Sequence, residues 1–193
     1  MRIPEPDPEL VRRAAGGEVA AQRELMEAWG PAVLRWATWL ARPGVDPEDV
    51  AHDVLFILLT KLRDLRDAQA FQAWLFRIVR RTVDRHNKAL WLRRWSAEPV
   101  EGAAVSGLDP HREAERNEAQ LTVQAALSTL KRPHREILVL CLLEEQTCLE
   151  ASQILGIPEG TAKRRLQLAR VSFRRAHARI TLTLAPRPQE EKP

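Results

Sequence analysis

Between Gly160 and Arg179 the chain carries seven basic side chains and no acidic one. A solvated helix surface normally mixes both signs of charge, so a one-sign run of this length points to a polyanion as partner. The spacing sharpens the point. Ala162, Leu166, Ala169 and Phe173 recur at steps of four, three and four and form an inward face. The opposite face presents Lys163, Arg164, Gln167 and Leu168, residue types that read guanine and adenine edges in a major groove. Arg165, Arg170, Arg174 and Arg175 are better placed for phosphates, and Thr161 falls in the first turn. No other kind of chemistry is offered. His52, His86, His111, His134 and His177 are scattered without ligand spacing, and there is no nucleophile motif or phosphate loop. No enzyme, metal site or cofactor is expected.

The elements that position this face read as helix, tight turn, helix over residues 147–173. Ala151, Ile154 and Leu155 supply the inner face of the first helix, and Gly156 suits a left-handed turn. Ile157 fills the gap between the helices, and Pro158 pre-sets entry into the second. Upstream, Leu25, Trp29, Val33, Trp36 and Leu40 share one helix face, which Pro43 and Gly44 end. Asp46 caps a new helix with Pro47 in its first turn and Val50, Val54, Ile57, Leu58 and Leu62 on its buried side. After a short break at 65–70 comes another amphipathic helix, with Phe71, Trp74, Leu75, Ile78 and Val79 facing inward. Arg77, Arg81, Arg85 and Lys88 form a basic stripe on it, with Arg80 beside them. The expected fold class is all-α.

Residues 96–111 lose this periodicity and are rich in Pro, Gly, Ser and small side chains, which predicts a flexible linker. Charge divides at the same place. Residues 1–95 carry a net +3, residues 96–120 a net −4 and residues 121–193 a net +5. Two small helical domains are expected, over 1–95 and 112–182, with a frayed tail at 183–193. No run approaches the ~20 apolar residues of a membrane span, and MRIPEPDPEL lacks the core of a signal peptide, so a cytoplasmic protein is expected. Cys141 lies in an apolar run and is expected to pack as a small hydrophobe, with a redox role for Cys148 disfavoured. In WLRRW, Trp91 and Trp95 either stack on bases or cover the end of the domain.

DPEDVAHDVLFILLTKL (46–62), followed by FQAWLFRIVRRTVDRHNK (71–88), resembles region two of the extracytoplasmic-function (ECF) sigma factors of RNA polymerase. ALSTLKRPHREILVLCLLEEQTCLEASQILGIPEGTAKRRLQLAR (126–170) resembles their region four, in which L-P-x-x-x-R-E-[IV] precedes G-T-V-K-S-R-L. Both blocks occur in the family's order and spacing. The resemblance implies a promoter-binding initiation factor in which Glu48, Asp49, His52 and Asp53 dock on the clamp helices of the polymerase's largest subunit. It implies that Leu65, Arg66, Asp67 and Gln69 capture an unstacked base of the minus-ten element, with Arg77, Arg80, Arg81, Arg85 and Lys88 tracking phosphates. The helix-turn-helix face of Thr161, Lys163, Arg164, Gln167, Leu168, Arg170, Arg174 and Arg175 would then bind the minus-thirty-five element. An anti-sigma partner is implied by the same resemblance. Arg164 stands where the family has Ser, Ala162 where it has Val, His52 where it has Gln and Leu65 where an aromatic is frequent. Arg164 therefore implies an altered upstream preference. A second reading keeps the helix-turn-helix in a DNA-binding regulator that does not recruit core polymerase, but it leaves the acidic helix and the FQAWLFRIVRR block unused.

Overall fold

In a computed structural model that describes residues 3–96 and 112–184, every regular element is helical. The first unit comprises α1 (Pro8–Ala15), α2 (Val19–Leu40), α3 (Pro47–Lys61) and α4 (Phe71–Ser96). Two 3₁₀ turns, Leu62–Asp64 and Ala68–Ala70, bridge α3 to α4. The second unit comprises α5 (Arg112–Thr129), α6 (Arg132–Leu138), α7 (Cys148–Leu155) and α8 (Glu159–Leu184), with a π-helical turn, Val139–Leu143, after α6. The two helical units of the expected fold class are present. α4 ends and α5 begins on either side of the expected linker, whose residues 97–111 lie outside the described residues, as does the tail from 185 onward.

Local sequence sets the helix ends. The Asp46 carboxylate accepts from the Glu48 backbone N–H at 2.8 Å, with Pro47 in the first turn. Asp7 does the same for α1, a helix too short for apolar periodicity to reveal. At α7 a full capping box forms: Thr147 Oγ1 accepts from Glu150 N, and the Glu150 carboxylate accepts from Thr147 N at 2.7 Å.

The α2 stripe is buried as expected, and its aromatic members set the core of the first unit. Trp29 meets Phe71 edge-on at 5.1 Å between ring centroids, and Trp36 meets Phe76 edge-on at 5.0 Å. Phe76 is fully buried although the expected inward face of α4 left it out, and Trp74, Ile78 and Ile57 are half-buried rather than central. The reason is tertiary: α4 packs on α2 and α3 on one side and on α7 on another, so its buried arc is wider than one stripe.

The packing of α4 on α7 joins the two units. Their apolar core is continuous, from Val83 and its neighbours through Leu127, Ile137 and Leu140. Polar contacts line the seam. Arg35 grips the fully buried Glu144 carboxylate with contacts of 2.8, 3.1 and 3.3 Å. Gln124 Nε2 donates to Thr38 O at 2.8 Å, and Arg132 Nη1 reaches Asp84 at 2.6 Å. The buried Arg135 guanidinium donates to the carbonyls of Leu127, Leu130 and Ser128 in its own unit and of Leu40 in the other. Burial, and next the like charge of Arg42, lowers its pKa.

Candidate nucleic-acid interface

α7 and α8 form the expected helix-turn-helix. Gly156 closes α7 in the left-handed region, at φ 65°, where a side chain would strain the backbone. Ala162, Leu166 and Ala169 are buried, Phe173 half-buried, and Ile157 packs against the core between the helices. Thr161, Lys163, Arg164, Gln167, Leu168, Arg170, Arg174 and Arg175 are all exposed, whereas Arg165 is half-buried. Of this face only Lys163 is ion-paired among the described residues, to Glu159 one turn back at 2.8 Å, which raises the lysine's pKa. The rest have solvent around them and no ion-pair partner among the described residues.

The α3–α4 surface is arranged differently. Glu48, Asp49 and His52 are exposed, as a docking face requires. Asp53 is half-exposed and already engaged: one carboxylate oxygen lies 2.7 Å from both Arg85 Nη2 and His86 Nε2. The hydrogen bond with His86, and then the Arg85 charge, hold its carboxyl below the ordinary aspartate range. Asp53 thus ties α3 to α4 in this structure. Beside the acids, Phe56 and Leu59 are exposed, and steps of three and four place them on the same side as His52 and Asp53. Sequence reasoning missed this apolar extension, although the i, i+4 step from His52 and the i, i+3 step from Asp53 to Phe56 could have revealed it.

In the loop ahead of α4, Arg66, Asp67 and Gln69 are exposed and Leu65 is half-buried against the core. Asp67 caps the second 3₁₀ turn, its carboxylate accepting from Gln69 N at 2.9 Å, so part of its hydrogen-bonding capacity shapes the loop. A cleft of about 420 Å³ separates this loop from α7, with Asp67, Gln69 and Gln72 on one wall and Gln146, Glu150 and Gln153 on the other.

The basic stripe divides in two. Arg77, Arg81 and Lys88 are exposed and make no ion pair within the described residues. Arg85 holds Asp53, and Arg80, only about a quarter exposed, faces Glu136 of α6. Arg80 Nε and Glu136 Oε1 are 3.1 Å apart, yet neither atom has a hydrogen-bond partner of acceptable geometry. The contact is therefore an ion pair without a directed hydrogen bond. Burial pushes the Glu136 carboxyl above its ordinary range, against the pull of Arg80 and Arg132. Trp91 and Trp95 stack on each other at 5.7 Å and are both exposed, so they do not seal the end of the first unit. Cys141 is half-buried near Cys148, and burial pushes its thiol up to about 12, which suits the packing role expected of it. No helix among the described residues is long and apolar enough to cross a membrane.

An outward cationic helix-turn-helix on one helical bundle and an acidic face on the other fit a two-module DNA-binding protein. Comparison with known proteins agrees. The chain matches Sigma-70 region 2 over residues 25–93 and Sigma-70, region 4 over residues 120–172. It is 27% identical to the RNA polymerase sigma factor NccH of Alcaligenes xylosoxydans xylosoxydans, across 90% of this chain and 95% of that one. It is also 27% identical to the ECF RNA polymerase sigma factor SigW of Bacillus subtilis, across 67% and 74% of the two chains. Among solved structures, CnrH in complex with the cytosolic domain of CnrY shares the fold with a TM-score of 0.66, at 22% identity over 93% of this chain and 99% of that one. The chain belongs to the sigma-70 family, in its ECF group, and directs transcription.

Proposed function

We propose that the first module docks on core RNA polymerase and holds the opened minus-ten element, while α8 of the second reads the minus-thirty-five element. The observation that carries this reading is the pairing of opposite surfaces in one chain. α8 offers exposed cations with a single counter-charge, and α3 offers Glu48, Asp49 and His52 to a partner that is not DNA. Base reading falls to Lys163, Arg164, Gln167 and Leu168, and phosphate contact to Arg170, Arg174 and Arg175. On the first module, Arg77, Arg81 and Lys88 take phosphates at once, whereas Arg80 and Arg85 must first leave Glu136 and Asp53. The chain supplies no catalytic group, since bond formation belongs to the polymerase, and its place of work is the cytoplasm. Solved proteins with this fold are bound to the cytosolic domain of CnrY or to the anti-sigma factor NepR, which supports a similar inhibitory partner here.

Transcription in vitro with core polymerase over a promoter library tests the whole reading: the purified chain should direct initiation from a defined sequence class. Charge reversal tests docking. Because Asp53 holds Arg85 and His86, the cleaner variant is Glu48→Lys with Asp49→Lys, both exposed. Loss of the helix-dipole contribution costs only ~0.3–1 kcal/mol per site, so the fold should survive. Co-purification with core polymerase should be abolished, and undiminished co-purification would assign docking elsewhere and favour a regulator that never recruits the enzyme.

A further inference from the structure

Two carboxylates of the second module, Glu136 and Glu144, are buried in the seam against arginines of the first. They differ in quality. Arg35 engages both oxygens of Glu144, which is the geometry of a strong pair. Arg80 meets Glu136 at 3.1 Å without a directed hydrogen bond, and Arg132 of α6 also sits 3.2 Å from the same Glu136 oxygen. One carboxylate oxygen thus serves two guanidinium groups and satisfies Arg80 Nε poorly. A buried polar atom without a directed hydrogen bond is a cost that a better acceptor would remove. A phosphate oxygen, with free choice of approach, is such an acceptor.

We propose that Glu136 occupies the phosphate seat of Arg80 while the chain is free, so that the closed seam and the promoter's single strand are alternative occupants of the first module. The carboxylate stands in for a phosphate oxygen. Arg35–Glu144 and the hydrogen bond from Arg135 to Leu40 hold α6 in place, and the same seam sets α7 across the cleft from Asp67 and Gln69. Binding of the strand exchanges Glu136 for phosphate at Arg80, and α6 and α7 withdraw from α4. This inference rests on Arg80 being a phosphate contact, as proposed above.

The test uses the full chain and a fluorescein-labelled, random-sequence, single-stranded DNA 12-mer, with affinities read by anisotropy. Arg80→Ala should weaken binding and lower the salt slope by ~0.7, the share of one single-strand phosphate. An unchanged slope would remove Arg80 from the DNA site and so sink the underlying reading. Given that contact, Glu136→Gln should tighten binding about three- to tenfold, the weight of one competing ion pair. The gain should vanish in the Arg80→Ala, Glu136→Gln double variant. Equal affinity of Glu136→Gln and the unmodified chain, or a gain that survives without Arg80, would overturn the proposal. A measurement that needs no change at the seam covers misfolding of that variant. Energy transfer between non-natural amino-acid labels at the exposed positions 19 and 182 should fall as the 12-mer saturates the chain. Saturation with unchanged transfer would equally overturn it.

Discussion

α8 and α4 are the two most basic helices of the molecule, and they handle their charge in opposite ways. α8 buries one face against α5, α6 and α7, and its predicted contact residues lie on the opposite face, exposed except for the half-buried Arg165, with one intramolecular counter-ion among them, Glu159. α4 runs through the middle of the structure, and two of its five expected phosphate ligands, Arg80 and Arg85, are taken by carboxylates from α6 and α3. A cation on an outward face is presented to a partner, whereas one at a junction is shared between partner and protein. Binding through α8 should therefore be additive and strongly salt-dependent, while binding through α4 should be coupled to how the two modules sit.

The largest effect that would break this comparison lies at the seam. Arg35→Met leaves Glu144 buried without its cation, a destabilisation on the order of 3–5 kcal/mol. Calorimetry should then resolve two unfolding transitions where the unmodified chain shows one, and a single unshifted transition would mean that the seam does not couple the modules. Next in size are the base-reading positions of α8. Arg164→Ala or Gln167→Ala should change the preferred upstream sequence, by ~1–3 kcal/mol for each base no longer read, as measured by selection from a random duplex library. An unaltered preference would move base reading to another face. Replacing Arg174 and Arg175 together should weaken binding to all duplexes alike and flatten the salt dependence by ~0.9 for each phosphate no longer neutralised. Sequence-selective weakening would contradict a phosphate role.

The smallest effect concerns Asp53. Its carboxyl is held below the ordinary aspartate value, so the folded state binds the proton less readily than the unfolded chain. The resulting stabilisation is present above the unfolded pKa, near pH 4, and disappears as pH falls through the lower folded value. An Asp53→Asn variant should therefore lose part of the acid sensitivity of thermal unfolding below about pH 4. Identical acid profiles would show that the pairing with Arg85 and His86 carries no net stability.

The contrast between the two helices also marks what is legible in the chain. The outward residues of α8 are legible because one buried face with a 3.6-residue period dictates the opposite face, and Gly156 and Pro158 locate the turn between the helices. The α4 stripe is legible as a stripe but not as a divided one. Nothing in the spacing of Arg80 or Arg85 says that Glu136 lies 56 positions downstream in sequence yet 3.1 Å away, or that Asp53 turns toward His86. Phe76 escapes the sequence pattern for the same reason, since a helix packed on two sides has no single inward stripe.

By itself the order of residues determined the helices, their caps, the turn of the helix-turn-helix and the cationic character of the outer face of α8, because each depends on neighbours within a few positions. Only the tertiary structure decided which charges remain available, because an ion pair forms between groups that folding brings together from distant parts of the chain. Glu136 and Glu144 look like ordinary acidic residues along the sequence, and burial against Arg80 and Arg35 turns them into contacts between the two helical units.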